Sequence, residues 1–255
     1  MTRVIKYIFY DLIRTRFILL YAGFLLLSTS ALFQLDSDPS KVVLSLLNIV
    51  LMVVPLVSIV FTTIHFFNSY EFIELMLVQP VNRKSVFLGE YVSVASSLCG
   101  AYLVGIGVPC LLFGANQSAV TLMIIGIILT LVFVSLAFLS TVLTRDKAKA
   151  IGIALLFWFY SALIYDGLLL WVVYNFSDYP LERVTLALIA LNPVDLARII
   201  MLMKLDISAL MGYTGAFYKE FFGSMLGTGF AASILILWII IPMWAALRIF
   251  VKKDI

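Results

Sequence analysis

The sequence predicts an all-α polytopic membrane protein with six transmembrane helices, and three observations predict it. Of the 255 residues, 64% are hydrophobic and only 12% are charged, whereas a soluble domain is about half apolar and about a quarter charged. Uncharged runs of about 20 residues, long enough to cross a bilayer, recur along the chain. The basic residues concentrate in alternate connections between those runs. This composition excludes a soluble enzyme and a freestanding globular domain.

The N-terminal residues 3–14 predict an amphipathic helix that lies in the membrane surface. Their apolar side chains fall on one helical face and their cations on the other. Such a helix holds its cations near anionic headgroups. The alternative is a cytoplasmic extension of the first span.

Six spans follow the N-terminal helix, within a single membrane domain that takes in residues 1–255. The fifth span is interrupted only by Asp166, and Pro55, Pro109 and Pro242 are expected to kink the spans that contain them. The predicted spans are 17–35, 42–67, 86–114, 119–144, 150–175 and 221–250.

The distribution of basic residues predicts the orientation. Twelve of the 17 Lys and Arg residues lie in the N-terminal segment, the second and fourth connections and the C-terminal tail, and five lie in the other connections. Because basic residues are retained on the cytoplasmic side, we expect both termini in the cytoplasm. The expected location is a bacterial inner membrane.

The connection 68–85 contains a predicted short helix at about Tyr70 to Val78, stopped by a proline and followed by basic residues that anchor the third span. It presents a small apolar surface rimmed by acidic side chains, which suits docking into a groove of a cytoplasmic partner. The alternative is an ordinary interfacial turn. The candidate docking residues are Glu71, Phe72, Glu74, Leu75, Pro80 and Arg83.

Two features of the outer half of the chain carry further expectations. In the connection 176–220, the apolar stretches Val184–Val194 and Ile207–Tyr218 are too short to span, so we expect interfacial or re-entrant pieces. Asp166 lies at membrane depth, where a charge is expensive, and should face the bundle interior, pair or be protonated. A gate or cargo-path role and a structural hydrogen bond both remain open for it.

The sequence contains no catalytic constellation. It has no G-x-x-x-x-G-K-[ST] motif, and its single histidine, His65, excludes a two-histidine metalloprotease motif. The thioethers of Met201, Met203 and Met211 suit Cu(I), but methionine commonly fills apolar helices, and no metal site is predicted. Glu90, near the start of the third span, is expected to reach water or Lys84. The sequence has no basic stripe of the kind that binds nucleic acid.

Three stretches resemble the ABC-2 type transporter permeases, over nearly the whole chain. They are Glu74-Leu-Met-Leu-Val-Gln-Pro-Val-Asn-Arg83 followed by Phe87-Leu88-Gly89, then Phe157-Trp158-Phe159 with Asp166, and then Leu191-Asn192-Pro193-Val194-Asp195-Leu196-Ala197-Arg198. Within that family the chain is most similar to the permeases of the ABC complexes encoded with nitrous oxide reductase. One departure is Glu90, where the family often has a basic residue.

The resemblance implies a homodimer of permeases in membrane lipid, with two cytoplasmic ATPase subunits that hold ATP and Mg. This chain would bind no cofactor directly. The helix at 70–78 would be the coupling helix, 3–14 the elbow, and the outer segment would cap the dimer. A periplasmic β-helical copper-handling protein is the implied outer partner, in copper-site assembly of nitrous oxide reductase. Implied outer gate or docking residues are Asn192, Pro193, Asp195 and Arg198.

Two other functions remain open from the sequence. The aromatic-rich, nearly uncharged spans also suit an ABC-2 exporter of a lipid, a peptide or a drug. A stand-alone secondary transporter could use Asp166 as a proton relay, although the lone intramembrane acid and the lack of an inverted repeat disfavour it.

Overall fold

A computed structural model describes residues 12, 14–36, 38–78, 82–113, 116–176, 182–205 and 225–252. All regular structure in these residues is helical. Six helices are long and apolar enough to cross a membrane, which agrees with the six predicted spans. They are α1 (Arg16–Leu35), α2 (Pro39–Asn68), α4 (Arg83–Phe113), α5 (Gln117–Leu143), α6 (Lys147–Asn175) and α9 (Met225–Lys252). The predicted elbow lies outside the described residues except for Leu12 and Arg14.

The helices start slightly earlier than the apolar runs predict, because polar residues cap them. Asp38 accepts a hydrogen bond from the Ser40 N–H, and Asp146 accepts from the N–H groups of Ala148 and Lys149. The caps of α4 and α5 are Asn82 and Asn116. A capping side chain satisfies the free N–H groups of the first turn. The four helices therefore begin two or three residues before the predicted spans.

Helix α5 lies at the centre of the bundle, against α2, α9, α6, α8 and α4. Its residues Leu129 and Phe133 are fully buried, whereas much of α1 and α6 is exposed. In lipid, helices associate through close packing rather than through the hydrophobic effect. Tyr102 illustrates this: its ring lies over Gly126, where an added Cβ would come within 2.0 Å of Cζ, and its hydroxyl donates to the Leu122 carbonyl at 2.8 Å.

Two of the spans contain a π-helical turn. In α4 the turn Leu103–Gly107 precedes Pro109, and the Val108 N–H donates to the Leu103 carbonyl. A proline ring clashes with the carbonyl four residues earlier, so the wider turn relieves the clash at the position where we expected a kink. The second turn, Tyr160–Ile164 in α6, has no proline.

Two short helices in the outer connection differ from the prediction. Helix α7 (Glu182–Ala190) and helix α8 (Pro193–Lys204) meet at 115°, so the apolar stretch Val184–Val194 contains the break between two helices, and the second helix extends beyond it. Asn192 caps α8, and Pro193 occupies its first turn, a combination that starts a new helix. Helix α8 has an apolar face but no long uncharged run, because charged residues interrupt its sequence. The second predicted piece, Ile207–Tyr218, lies outside the described residues.

One further helix connects the second and third spans on the side predicted to be cytoplasmic. Helix α3 (Tyr70–Val78) has the predicted bounds. It packs against α2 and α4. Pro80, the predicted stop, lies outside the described residues.

Candidate functional site

An ion-pair cluster joins α6 to α8 and brings together residues from two separate predicted sites. Arg198 Nη1 donates to both carboxylate oxygens of Asp166, at 2.9 and 2.8 Å, and to Asp195 Oδ1 at 3.3 Å. The side chains of Arg198 and Asp166 are each 34% exposed, and that of Asp195 is 7% exposed. Asp166 is thus paired, which was one of the three states expected for a charge at this depth.

Both polar atoms of the Asn192 side chain, Oδ1 and Nδ2, form hydrogen bonds next to this cluster. Its Oδ1 caps α8 by accepting from the Val194 N–H, while its Nδ2 donates at 2.8 Å both to Asp195 Oδ2 and to the Ser161 carbonyl. Asn192 is 1% exposed, so its partners are all within the protein. The amide fixes the orientation of the Asp195 carboxylate and the angle at which α8 meets α6.

The π-turn in α6 makes the Asn192 contact possible. In a regular α-helix the Tyr165 N–H would donate to the Ser161 carbonyl, but here it donates to the Tyr160 carbonyl. Asn192 Nδ2 takes the place of the missing backbone donor. Turns of this kind occur often at functional sites, and nothing in the local sequence of α6 predicts it.

A cavity of about 280 Å³ opens beside the cluster, lined by Asp166, Asp195 and Arg198 together with aliphatic residues of α6, α7 and α8. Two carboxyl groups and one guanidinium face it, so the acidic groups outnumber the cation. The ion pairs hold α6 against α8, and the loss of Arg198 would leave both carboxyl groups without a cation. Pro193, in the first turn of α8, is buried.

The second predicted site, helix α3, has one buried side and one exposed apolar side. Ile73 is 2% exposed and holds the helix against the core, whereas Phe72, Leu75 and Val78 are 39%, 68% and 86% exposed. Glu71 and Glu74 are exposed beside them. Apolar residues displayed outside the bundle between acidic ones are typical of a helix that docks into a partner's groove.

The profile of the family described as "ABC-2 family transporter protein" matches residues 26–255 of the chain. The chain belongs to the ABC-2 transporter family. Two curated proteins are similar to it, both named "Probable ABC transporter permease protein NosY". One, from Pseudomonas aeruginosa, is 28% identical over 181 residues. The other, from Stutzerimonas stutzeri, is 26% identical over 192 residues.

These matches cover 67% and 71% of the ABC-2 chain and 62% and 66% of the two relatives. The chain thus aligns with less than two thirds of each NosY protein. The resemblance inferred from the sequence motifs, an ABC-2 permease similar to NosY, is confirmed.

Beneath α3, five aromatic rings of the permease connect four spans. Phe138 of α5 lies at the centre, with ring centroids 5.6 Å from Phe66 of α2, 5.1 Å from Phe87 of α4 and 5.5 Å from Tyr91. Phe250 of α9 lies 4.6 Å from Phe87. The sequence analysis did not predict this aromatic cluster. Its members are far apart in sequence, and aromatic residues at span ends are common.

Tyr70 is the first residue of α3, and Arg83 begins the helix that follows it. Arg83 is the first residue of α4 and is half-buried. Partial burial and the Glu74 carboxylate, to which the phenol is hydrogen-bonded, raise the pKa of Tyr70. The Tyr70–Glu74 contact joins the first turn of α3 to its second and leaves Glu71 facing outward.

Glu90 does not reach water or Lys84 as expected. It is 2% exposed, and its Oε1 lies 2.8 Å from His65 Nε2. Ser69 Oγ lies 3.3 Å from the same nitrogen. His65 donates a hydrogen bond to Glu90 when its Nε2 carries a proton. When Nε2 carries no proton, Glu90 Oε1 is a buried oxygen that receives no hydrogen bond. Burial against α2 explains the difference, because a charged side chain removed from water requires a partner.

Proposed function

We propose that this permease couples ATP hydrolysis in separate cytoplasmic ATPase subunits to transport, or to mechanical remodelling of a periplasmic partner. The observation that carries the proposal is α3, whose apolar residues Phe72, Leu75 and Val78 are displayed beside Glu71 and Glu74. An amphipathic helix of this length fits a hydrophobic groove. The groove would belong to an ATPase subunit that holds ATP and Mg.

Movement of a docked α3 would reach the spans through its buried side. Ile73 is packed in the core, and Ser69, immediately before α3, donates its N–H to the His65 carbonyl. The neighbouring aromatic cluster of Phe66, Tyr91, Phe87, Phe138 and Phe250 connects α2, α4, α5 and α9. Closely packed rings transmit displacement because interiors are nearly incompressible. We therefore assign α3 as the coupling helix.

The complex would contain two copies of the permease and two ATPase subunits. Pairing of two permeases follows from the family resemblance, and α1 and α6, which are exposed along most of their length, leave surface for a second copy to pack against. The bias of basic residues supports cytoplasmic termini in a bacterial inner membrane. The ion-pair cluster then lies toward the periplasmic side, where Asn192, Asp195 and Arg198 would fix the shape of the outer surface.

The similarity to the two NosY proteins supports a more specific role. The outer partner would be a periplasmic β-helical copper-handling protein, and the remodelling would serve copper-site assembly in nitrous oxide reductase. The identity of genes that neighbour this one separates that role from export of another cargo, since copper-protein maturation genes favour it and a drug-resistance or polysaccharide cluster disfavours it.

Co-purification of the tagged permease with a co-expressed ABC ATPase tests the proposal. The unchanged chain should retain the ATPase in roughly equal amount, and Leu75→Asn should release most of it because α3 loses an exposed apolar anchor. Leu112→Asn is the matched control, since Leu112 is similarly exposed (73% against 68%) at the opposite end of α4. Equal retention by both variants would contradict the assignment of α3.

A further inference from the structure

A basic cavity lies between the first turn of α4 and the last turns of α9. Its volume is about 630 Å³, and it is lined by Lys84, Trp244, Leu247, Arg248, Val251 and Lys252. The five residues from α9 are spaced at i, i+3, i+4, i+7 and i+8, so they form one continuous helical face. The cavity belongs to neither the ion-pair cluster nor α3.

Three cations face this cavity, and among the residues that the structure describes no acidic one lines it. Lys84, Arg248 and Lys252 are all exposed. None of the three forms an ion pair with a residue of the described ranges. The guanidinium of Arg248 lies 3.7 Å from the centre of the Trp244 ring, which holds it over the cavity. Like charges that line one cavity repel one another, so the arrangement favours an anion among them.

The remaining lining of the cavity is apolar and suits an acyl chain. Trp244 is 52% exposed, and Leu247 and Val251 are half-buried. Trp244 lies eight residues, or about 12 Å, before Lys252, so the lining from α9 runs from an aromatic residue within the span to a cation at its end. Tryptophan at one depth and Lys or Arg beyond it is the arrangement found at the boundary between hydrocarbon and headgroups.

We propose that this cavity binds the phosphodiester headgroup of an anionic phospholipid. Lys84, Arg248 and Lys252 neutralise the phosphate, and Trp244, Leu247 and Val251 contact the upper part of an acyl chain. A basic pocket between transmembrane helices is a known form of anionic-lipid site. A soluble anion would leave the apolar lining residues of the cavity without a contact, and this favours a lipid. The bound lipid would link the start of α4, next to α3, to the end of α9.

Binding of phosphatidylglycerol to the full chain in detergent, measured by native mass spectrometry against phosphatidylcholine, tests the proposal. Each basic side chain near an anionic lipid surface contributes about 1 kcal/mol, or about fivefold in affinity. We therefore expect Lys84→Gln to weaken phosphatidylglycerol binding about fivefold. The triple variant Lys84→Gln, Arg248→Gln, Lys252→Gln should abolish the preference over phosphatidylcholine.

The matched control removes three exposed cations elsewhere, Lys41→Gln, Lys149→Gln and Lys204→Gln, with the same loss of net charge. An equal loss of lipid binding in both triple variants would overturn the proposal, because it would show only general attraction. Competition by inorganic phosphate as strong as that by the lipid would also overturn it. The proposal would also be overturned if the cavity triple variant bound lipid as before but retained less ATPase, because the three cations would then contact the ATPase. If the cavity triple variant does not fold, Lys84→Gln alone decides, since Lys84 is exposed.

Discussion

Replacing Arg198 by Gln should destabilise the permease, because the carboxyl groups of Asp166 and Asp195 would lose the cation that they share. Arg198 Nη1 contacts Asp166 at 2.8 Å and Asp195 at 3.3 Å. An exposed ion pair contributes up to about 1 kcal/mol, whereas breaking a buried one costs about 3–5 kcal/mol. Because Asp166 and Arg198 are each 34% exposed but Asp195 is buried, we expect a cost of about 2 kcal/mol.

The cause can be isolated by adding Asp166→Asn to the same chain. This removes one of the two repelling carboxylates, so the double variant should be more stable than Arg198→Gln alone, with a coupling energy of about 1 kcal/mol. The assay is denaturant-induced unfolding of the purified chain in mixed micelles, followed by helical circular dichroism. Lys204→Gln, an exposed cation at the end of the same helix, should change little. A double variant that is less stable than the single one by the full cost of Asp166→Asn alone would refute the pairing.

Three more substitutions test other contacts with the same unfolding assay. Glu90→Ala should cost about 2 kcal/mol because it removes the nearer of the two oxygens beside His65 Nε2, whereas Glu90→Gln retains an oxygen there and should cost less. Gly126→Ala should cost about 2–3 kcal/mol, because the new methyl would displace the Tyr102 ring and stretch its hydroxyl hydrogen bond. Asn192→Ala should cost about 2–3 kcal/mol, since it removes one cap and two further hydrogen bonds.

Matched controls are available for two of these predictions. Gly229 has open space around an added Cβ, so Gly229→Ala should be neutral or slightly stabilising. Asn116 caps α5 with a single hydrogen bond, so Asn116→Ala should cost only about 1 kcal/mol. Equal losses within the glycine pair, or within the asparagine pair, would contradict the packing or the hydrogen bonds described. For the third, Glu90→Ala as stable as the unchanged chain would contradict the His65 contact.

The sequence predicted the features whose signal is local. Apolar run length placed the six spans, and the change from an apolar run to a charged, apolar-rich connection placed α3 at Tyr70–Val78. The ends of the spans were less well predicted, because a polar cap such as Asp146 and the first turn after it lie outside the apolar run. Hydropathy detects the membrane-embedded part of a helix and not the residue at which the helix starts.

Features that depend on distant residues could not be predicted. The cost of a charge at membrane depth indicated that Asp166 faces the interior, pairs or is protonated, but its partner Arg198 lies 32 residues away, beyond the sharp bend between α7 and α8. The partner of His65 was missed for the same reason, and Glu90 was expected in water because only its neighbours in sequence were considered. The π-turn at Tyr160–Ile164 has no composition signal, since it is stabilised by the amide of Asn192.

Photo-crosslinking from α3 tests the central claim, that this helix contacts an ATPase subunit. A photoreactive amino acid at Leu75, which is 68% exposed, should crosslink the permease to the co-expressed ATPase. The same amino acid at Leu112, 73% exposed at the other end of α4, should give no such product. Crosslinking from Leu112 and none from Leu75, with both variants folded, would contradict the assignment of α3 as the coupling helix.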